Sequence, residues 1–321
     1  MTITREELRD SARRGLGSDG LMPDPAQSWD RLAAMGWFGL CLPEDLGGLG
    51  LGMEALAAVH IELGRALVPG STIAQMAALA VLAEAPNFAG RADLLAAAAG
   101  GERIALSLEA HRADARTCVP DADLASRILL ISPGCIALAP VTAATLRPVW
   151  DPSRRLFDVS TGTPDVIATG PAAAQLHERA QAWVLLALAA DSVGAAEAAL
   201  EMSVEYLKTR RQFDRPLALF QALKHRVADM RIAVSAAEAL LWSRADGKAS
   251  LAGLGALKAL ACKAFLHVAE ETVQLHGGIG LTAEHPCHLF LKRAFLNAAL
   301  CGDADYWNGL AGRAALERTA A

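Results

Sequence analysis

Four long apolar, Ala-rich runs fill the second half of the chain, at residues 180–208, 220–243, 251–276 and 285–300. Each is longer than the mean globular helix of about 11–12 residues, and the connections between them are short. That pattern predicts an antiparallel helix bundle. The most apolar stretch, 182–190, stops at Asp191 after nine residues. A membrane-spanning helix needs about 20, so this stretch reads as a buried core helix.

The first half divides differently. Helical spacing runs through 29–35, 53–67 and 73–84, interrupted by Leu42-Pro43-Glu44-Asp45-Leu46-Gly47-Gly48-Leu49-Gly50. The glycines there miss the third position of a dinucleotide fingerprint and follow no strand, so the segment reads as a loop ordering two helices. Short runs at 103–108, 128–131, 135–139 and 156–159, bounded by Pro, Gly, Asp and Ser, read as strands of a small sheet. The expected fold class is therefore mainly α. It has an N-terminal helical domain (1–102), a shortened middle β-domain (103–167) and a C-terminal four-helix bundle (168–321).

A hydrophobic content of 53% with 20% charged residues supports a large core and a large subunit interface. The 30 basic and 35 acidic residues leave a net charge of −5, which offers no footprint for nucleic acid or an anionic membrane. The six cysteines are scattered with no CxxC pair, and residues 1–10 are polar, so reduced thiols and a cytoplasmic location are expected. His285, Cys287 and His288 match no zinc spacing. They are expected on different sides of the following helix, with no metal.

Two constellations carry more. The first is Tyr206-Leu207-Lys208-Thr209-Arg210-Arg211-Gln212-Phe213-Asp214-Arg215-Pro216-Leu217-Ala218-Leu219-Phe220-Gln221. It puts paired arginines at a helix end, where a guanidinium can fork onto a phosphate or simply complement the helix dipole. The second is Gln274-Leu275-His276-Gly277-Gly278-Ile279-Gly280-Leu281-Thr282-Ala283-Glu284. One glycine serves as a helix cap; three suggest close approach to a ligand or another subunit.

In this order, and with His225 and Ala228-Asp229-Met230 between them, these residues resemble the C-terminal domain of the flavin-dependent acyl-CoA dehydrogenases. The loop at 42–50 and Glu62-Leu63-Gly64-Arg65 resemble that family's first helical domain. The resemblance implies FAD bound across a subunit boundary. Arg210 then matches the arginine at the pyrophosphate and Phe213 the aromatic beside it, while Gln221, Gln274 and Gly278 match further cofactor-facing positions.

The departures from the family matter as much. The flavin-ring segments of the middle domain, including a Trp-x-Thr/Ser motif, are not found between 103 and 165, and Trp150 reads as a turn or core residue. Asp214 stands where the family usually has glycine. The family's base, a glutamate before a glycine, falls on Cys301; a minority's alternative position falls on Val184. No catalytic residue is therefore expected in this chain. Asp303 and Asp305 are expected as loop acids or helix caps, and Cys301 as a buried thiol. Asp191 is expected to face a polar group between subunits, with burial raising its pKa.

The resemblance thus implies a subunit paired with a full-length acyl-CoA dehydrogenase homologue in an α2β2 heterotetramer. That homologue would bind most of the acyl-CoA. Such short partners resemble those of actinobacterial heteromeric dehydrogenases acting on steroid-derived CoA thioesters. A flavin-free scaffold, or a homomeric oxidoreductase with Asp191 or Asp303 as base, are the alternatives.

Overall fold

The computed structural model describes residues 4–16, 20–108 and 117–320. Five helices open the chain: α1 (Arg5–Leu16), α2 (Pro25–Ala34), α3 (Met53–Arg65), α4 (Thr72–Glu84) and α5 (Arg91–Ala99). α2 starts four residues before the expected run at 29–35, at a local cap: Asp24 accepts a hydrogen bond from Gln27 N at 2.9 Å, and Pro25 fills the first turn. α4 buries every residue from Thr72 to Leu82. Its one amide is fully used, because Gln75 Nε2 donates to Ala98 O (2.9 Å) and Glu102 O (2.8 Å) while Oε1 accepts from Ile104 N at 3.0 Å. That side chain ties the helical domain to the first strand. The loop at 42–50 does order two helices: Gly47 and Gly50 take positive φ, and a Cβ at Gly48 would lie 2.1 Å from Leu42 O.

The middle domain holds β1 (Ile104–Leu108), β2 (Val119–Pro120), β3 (Arg127–Ile131), β4 (Cys135–Arg147), β5 (Leu156–Thr161) and β6 (Asp165–Thr169). β1 runs parallel to β3, and β3 antiparallel to β4. The first half of β4 also pairs with β6 and its second half with β5, with a register shift between Val141 and Ala143. A small core of Ala105, Val119, Ile128, Ala139, Phe157 and Val159 fills the space between. The sequence run at 135–139 underestimates β4, because beyond Ala139 the strand is mostly exposed and its Ala/Thr sequence carries no apolar alternation. β6 (Asp165-Val166-Ile167-Ala168-Thr169) is short and mostly exposed, held by its pairing with β4.

The remainder is helical: α6 (Gly170–Thr209), a hairpin of β7 (Arg211–Gln212) and β8 (Arg215–Pro216), then α7 (Gln221–Arg244), α8 (Leu251–His276), α9 (Cys287–Ala299) and α10 (Ala304–Ala320). The four expected bundle helices are present, and α10 adds a fifth whose mixed Ala, Arg and Glu sequence gave no apolar run. α6 and α8 run parallel: Ser192 Oγ meets Cys262 Sγ at 3.5 Å, and Ser203 Oγ meets Thr272 Oγ1 at 3.0 Å. Where α3 crosses α6 the backbones touch. A Cβ at Gly64 would sit 2.1 Å from Asp191 O, and one at Gly194 1.8 Å from Ile61 O. The Glu62-Leu63-Gly64-Arg65 run therefore serves packing. α6 is long and apolar enough to span a bilayer, but its most apolar window is 94% buried inside the chain.

α6 does not stop at Asp191, because the charge is neutralised in place. Asp191 is 1% exposed and meets Arg154 Nη2 at 2.7 Å, Arg293 Nη1 at 3.3 Å and Asn297 Nδ2 at 2.7 Å. Arg293, wholly buried, also reaches Asp151 Oδ2 at 2.6 Å, Ser153 Oγ, and the Leu67 and Val68 carbonyls at 3.4 and 3.3 Å. Desolvation pushes the Asp191 carboxyl up, as its burial suggests, but the two guanidiniums and Asn297 outweigh it and hold it below the ordinary range. Both expectations for Asp191 are corrected: its pKa is lowered, and its partners lie within its own chain.

Removing Asp191 leaves two buried arginines sharing one remaining carboxylate, so Asp191→Asn is expected to lose about 3–5 kcal/mol of stability at neutral pH, the usual cost of breaking a buried pair. Since the folded-state pKa is depressed, the gap between wild type and variant is full above about pH 4 and closes as pH falls through the folded value. Urea denaturation at a series of pH values reads both.

Candidate functional site

The end of α6 sets the geometry of the first constellation. Arg210 N donates to Tyr206 O at 2.8 Å and Arg210 O accepts from Leu217 N at 2.9 Å, which closes the β7–β8 hairpin. Its two turn residues both take positive φ, Phe213 at 53° and Asp214 at 61°. A two-residue turn of this kind favours Asn or Asp and Gly, which explains in backbone terms the glycine usual at position 214. Phe213 is held out with 86% of its surface exposed, 6.1 Å edge-to-face from Phe220, on which Arg215 stacks at 3.9 Å. Gln221 opens α7 and is exposed.

The second constellation arrives at the same pole. Tyr206 stacks on His276 at 4.3 Å and donates its hydroxyl to His276 O at 3.3 Å, so the C-terminal ends of α6 and α8 lie together. The three glycines separate by role. Gly277 takes φ +62° at the helix end, and a Cβ at Gly280 would meet Val273 O at 2.5 Å. A Cβ at Gly278 would meet nothing within 4 Å. Gly277 and Gly278 thus both present open backbone, and Gly278 does so without a positive φ. Gln274 beside it is exposed, and among the described residues the side chains of Arg210, Gln221 and Gln274 hold no partner in the chain.

The two candidate base positions converge elsewhere. Val184 and Cys301 line one cavity of about 230 Å³, walled by α4, β1, β2, α6 and the turn after α9. Its other lining residues include Ile73, Leu106, Leu156 and Leu188; among the described residues Arg154 is the single charged one, and no Asp or Glu is present. Cys301 takes φ +55°, with its carbonyl accepting from Trp307 Nε1 at 2.8 Å. Burial pushes its thiol up to about 11, only partly offset by Lys258. Lys258, itself wholly buried, donates to Ala298 O at 2.8 Å and Gly302 O at 2.6 Å and so pins this turn. Asp303 Oδ1 accepts from Tyr306 N at 2.9 Å, at the start of α10, and Asp305 lies exposed in that helix's first turn. Trp150 is indeed at a turn but not in the core: it is 75% exposed and meets Phe295 edge-on at 6.0 Å.

One grouping escaped the sequence. His285 and Cys287 do not diverge: His285 Nδ1 lies 2.8 Å from Cys287 Sγ, and His276 joins them across the glycine turn. No spacing rule within 285–288 could have found a third member nine residues upstream.

Comparison with known proteins agrees with this architecture. The family models for the acyl-CoA dehydrogenase N-terminal and C-terminal domains match residues 2–102 and 183–315. Acyl-CoA dehydrogenase IpdE2 of Mycobacterium tuberculosis is 36% identical over 271 residues, covering 81% of this chain and 77% of that protein. Among solved structures, a variant of the Tcur3481–Tcur3483 steroid ACAD superposes with a TM-score of 0.87 at 26% identity, covering 99% of both chains. The ChsE4–ChsE5 complex from Mycobacterium tuberculosis gives 0.84 at 22% identity, again over 99% of both, a likeness of fold. With both helical domains matched and a close relative spanning the β-domain as well, the chain belongs to the acyl-CoA dehydrogenase family, oxidoreductases acting on the CH–CH bond of acyl-CoA thioesters.

Proposed function

We propose that this chain is the base-lacking subunit of a heteromeric, cytoplasmic, FAD-dependent acyl-CoA dehydrogenase. It contributes contacts to the FAD pyrophosphate and adenosine across the subunit boundary. A full-length homologue in an α2β2 heterotetramer contributes the flavin-ring pocket, most of the acyl-CoA site and the base. The observation that carries this reading is the cavity without a carboxylate among its described lining residues: both positions from which the family draws one open into it, and they are Val184 and Cys301. Abstraction of an α-proton needs a carboxylate within hydrogen-bond reach. Asp191 is held between two arginines and Asp303 is committed to a helix start, so neither supports the homomeric alternative.

The bundle pole suits the cofactor's charged half. Arg210 offers an uncommitted guanidinium that can fork onto two phosphates. Gly278 offers open backbone for close approach, and Gln221 and Gln274 offer amides that both donate and accept. Phe213, left 86% exposed by its strained turn, gives an apolar face beside them. When bound, FAD supplies the hydride acceptor for α,β-dehydrogenation. Two solved relatives, the Tcur3481–Tcur3483 steroid ACAD and the ChsE4–ChsE5 complex, each join two components and support a two-chain assembly. The former is named a steroid ACAD, which supports a steroid-derived CoA thioester as substrate.

Two measurements test this reading. The chain purified alone is expected to lack acyl-CoA dehydrogenase activity and stoichiometric flavin, and the complex with its partner to hold two FAD per tetramer. Four FAD per tetramer, or one per chain in isolation, overturns it. In the complex, Arg210→Ala is expected to weaken FAD binding by about 1.5–3 kcal/mol, the scale of a hydrogen bond to a charged group, read by flavin retention on dilution. Unchanged flavin content would favour the scaffold alternative.

A further inference from the structure

The cluster at the α6–α8 pole has the makings of a metal centre. His276, His285 and Cys287 each offer one ligand atom, and these atoms lie within 4.8 Å of one another. His276 is 3% exposed. Its Nδ1 lies 2.7 Å from Thr272 O, a contact that makes Nδ1–H the donor and leaves the lone pair on Nε2. That Nε2 is buried and has no hydrogen-bond partner, an arrangement proteins rarely leave unexplained. Cys287 is fully buried, with Sγ 2.8 Å from His285 Nδ1.

We propose that His276, His285 and Cys287 bind a single borderline-soft divalent cation of the zinc type. Two imidazole nitrogens and a sulfur are the donor set that such an ion prefers. Around a tetrahedral zinc, with Zn–N about 2.0–2.1 Å and Zn–S about 2.3 Å, ligand atoms stand about 3.3–3.6 Å apart, so the observed cluster closes onto the ion with a shift of about 1 Å. On binding, Cys287 gives up its thiol proton to solvent and the His285–Cys287 hydrogen bond is replaced by two bonds to the metal. The Thr272 carbonyl is the outer partner that fixes the His276 tautomer, as ligating histidines usually require. The fourth position is left to solvent or to a group from another chain.

The consequence is positional. The three ligands come from the last residue of α8, the segment between the glycine turn and α9, and the start of α9, and Tyr206 of α6 stacks on one of them at 4.3 Å. A bound ion fastens the segment that carries Gln274 and Gly278, whether or not flavin is seated there. The inference does not depend on the flavin reading.

The test uses the full chain, or its complex where that is the soluble form, with substitutions made in this chain only. After removal of metal by chelator under reducing conditions, the protein is titrated with Co²⁺. One equivalent is expected, with a thiolate-to-cobalt charge-transfer band and the visible bands of four-coordinate cobalt, both displaced by Zn²⁺. Cys287→Ser is expected to abolish the charge-transfer band. His285→Ala, at a partly exposed turn that tolerates truncation, is expected to lower affinity by about 100-fold or more, beyond the 10–100-fold that loss of an outer partner costs. Absence of saturable cobalt binding, or binding that survives both substitutions, or binding lost instead with Cys118→Ser at the exposed thiol, overturns the proposal and leaves a His–Cys hydrogen bond without a metal.

Discussion

Two aspartates and two arginines, out of water and balanced in charge, meet at the point where the three domains join. Asp151 and Arg154 come from the β-domain, Asp191 from α6 and Arg293 from α9, and Arg293 also reaches carbonyls of the helical domain at Leu67 and Val68. Taking four ions out of water costs several kcal/mol each, and only close geometry with every remaining lone pair and proton used offsets that. Here Asn297 and Ser153 take up further positions, while Arg154 Nε and Asn297 Oδ1 are left without partners, so part of that cost stays uncompensated. The network therefore acts less as a source of stability than as a condition on arrangement: the domains can bury these charges only in one relative placement. Arg154 lines the cavity that Val184 and Cys301 share, and Cys301 lies two residues beyond the helix that holds Arg293 and Asn297, so the walls of that cavity inherit their positions from the network.

Much of the fold was legible because its elements are set by local pattern. The runs at 220–243, 251–276 and 285–300 fall within a few residues of α7, α8 and α9, since Ala and Leu at helical spacing leave no competing structure. Misreadings came where a distant partner decides the outcome. Asp191 was expected to face a polar group between subunits with a raised pKa, and only Arg154, 37 residues away, and Arg293, 102 away, pair it within its own chain and lower that pKa. The second half of β4 is exposed Ala and Thr, shaped by pairing with β5 rather than by its own sequence.

The proposed cofactor surface was read in a different way. The arginine, the glutamines and Gly278 were matched through the resemblance to the family, whereas spacing by itself weighed the three glycines of the second constellation equally. The structure divides them: one ends a helix, one lets a turn lie against α8, and one faces outward. Likewise, Val184 and Cys301 are separate observations in the sequence, and it is the folding of α6 against the turn after α9 that puts them in one cavity. The association of His276 with His285 and Cys287 was invisible, since it depends on a reversal at the glycine turn that no ligand spacing encodes.

The strand β4 belongs to both parts of the middle domain at once, bound to β3 and β6 at its beginning and to β5 at its end. Because side chains alternate with a period of two, losing or gaining one residue inside it would invert the inward and outward faces downstream of the change and unseat one ladder or the other. Outside the register shifts that β4 already carries, changes of length in this domain are therefore best borne at its connecting loops. A chain descended from longer ancestors would carry its deletions there, with the shared strand as the fixed ruler between them.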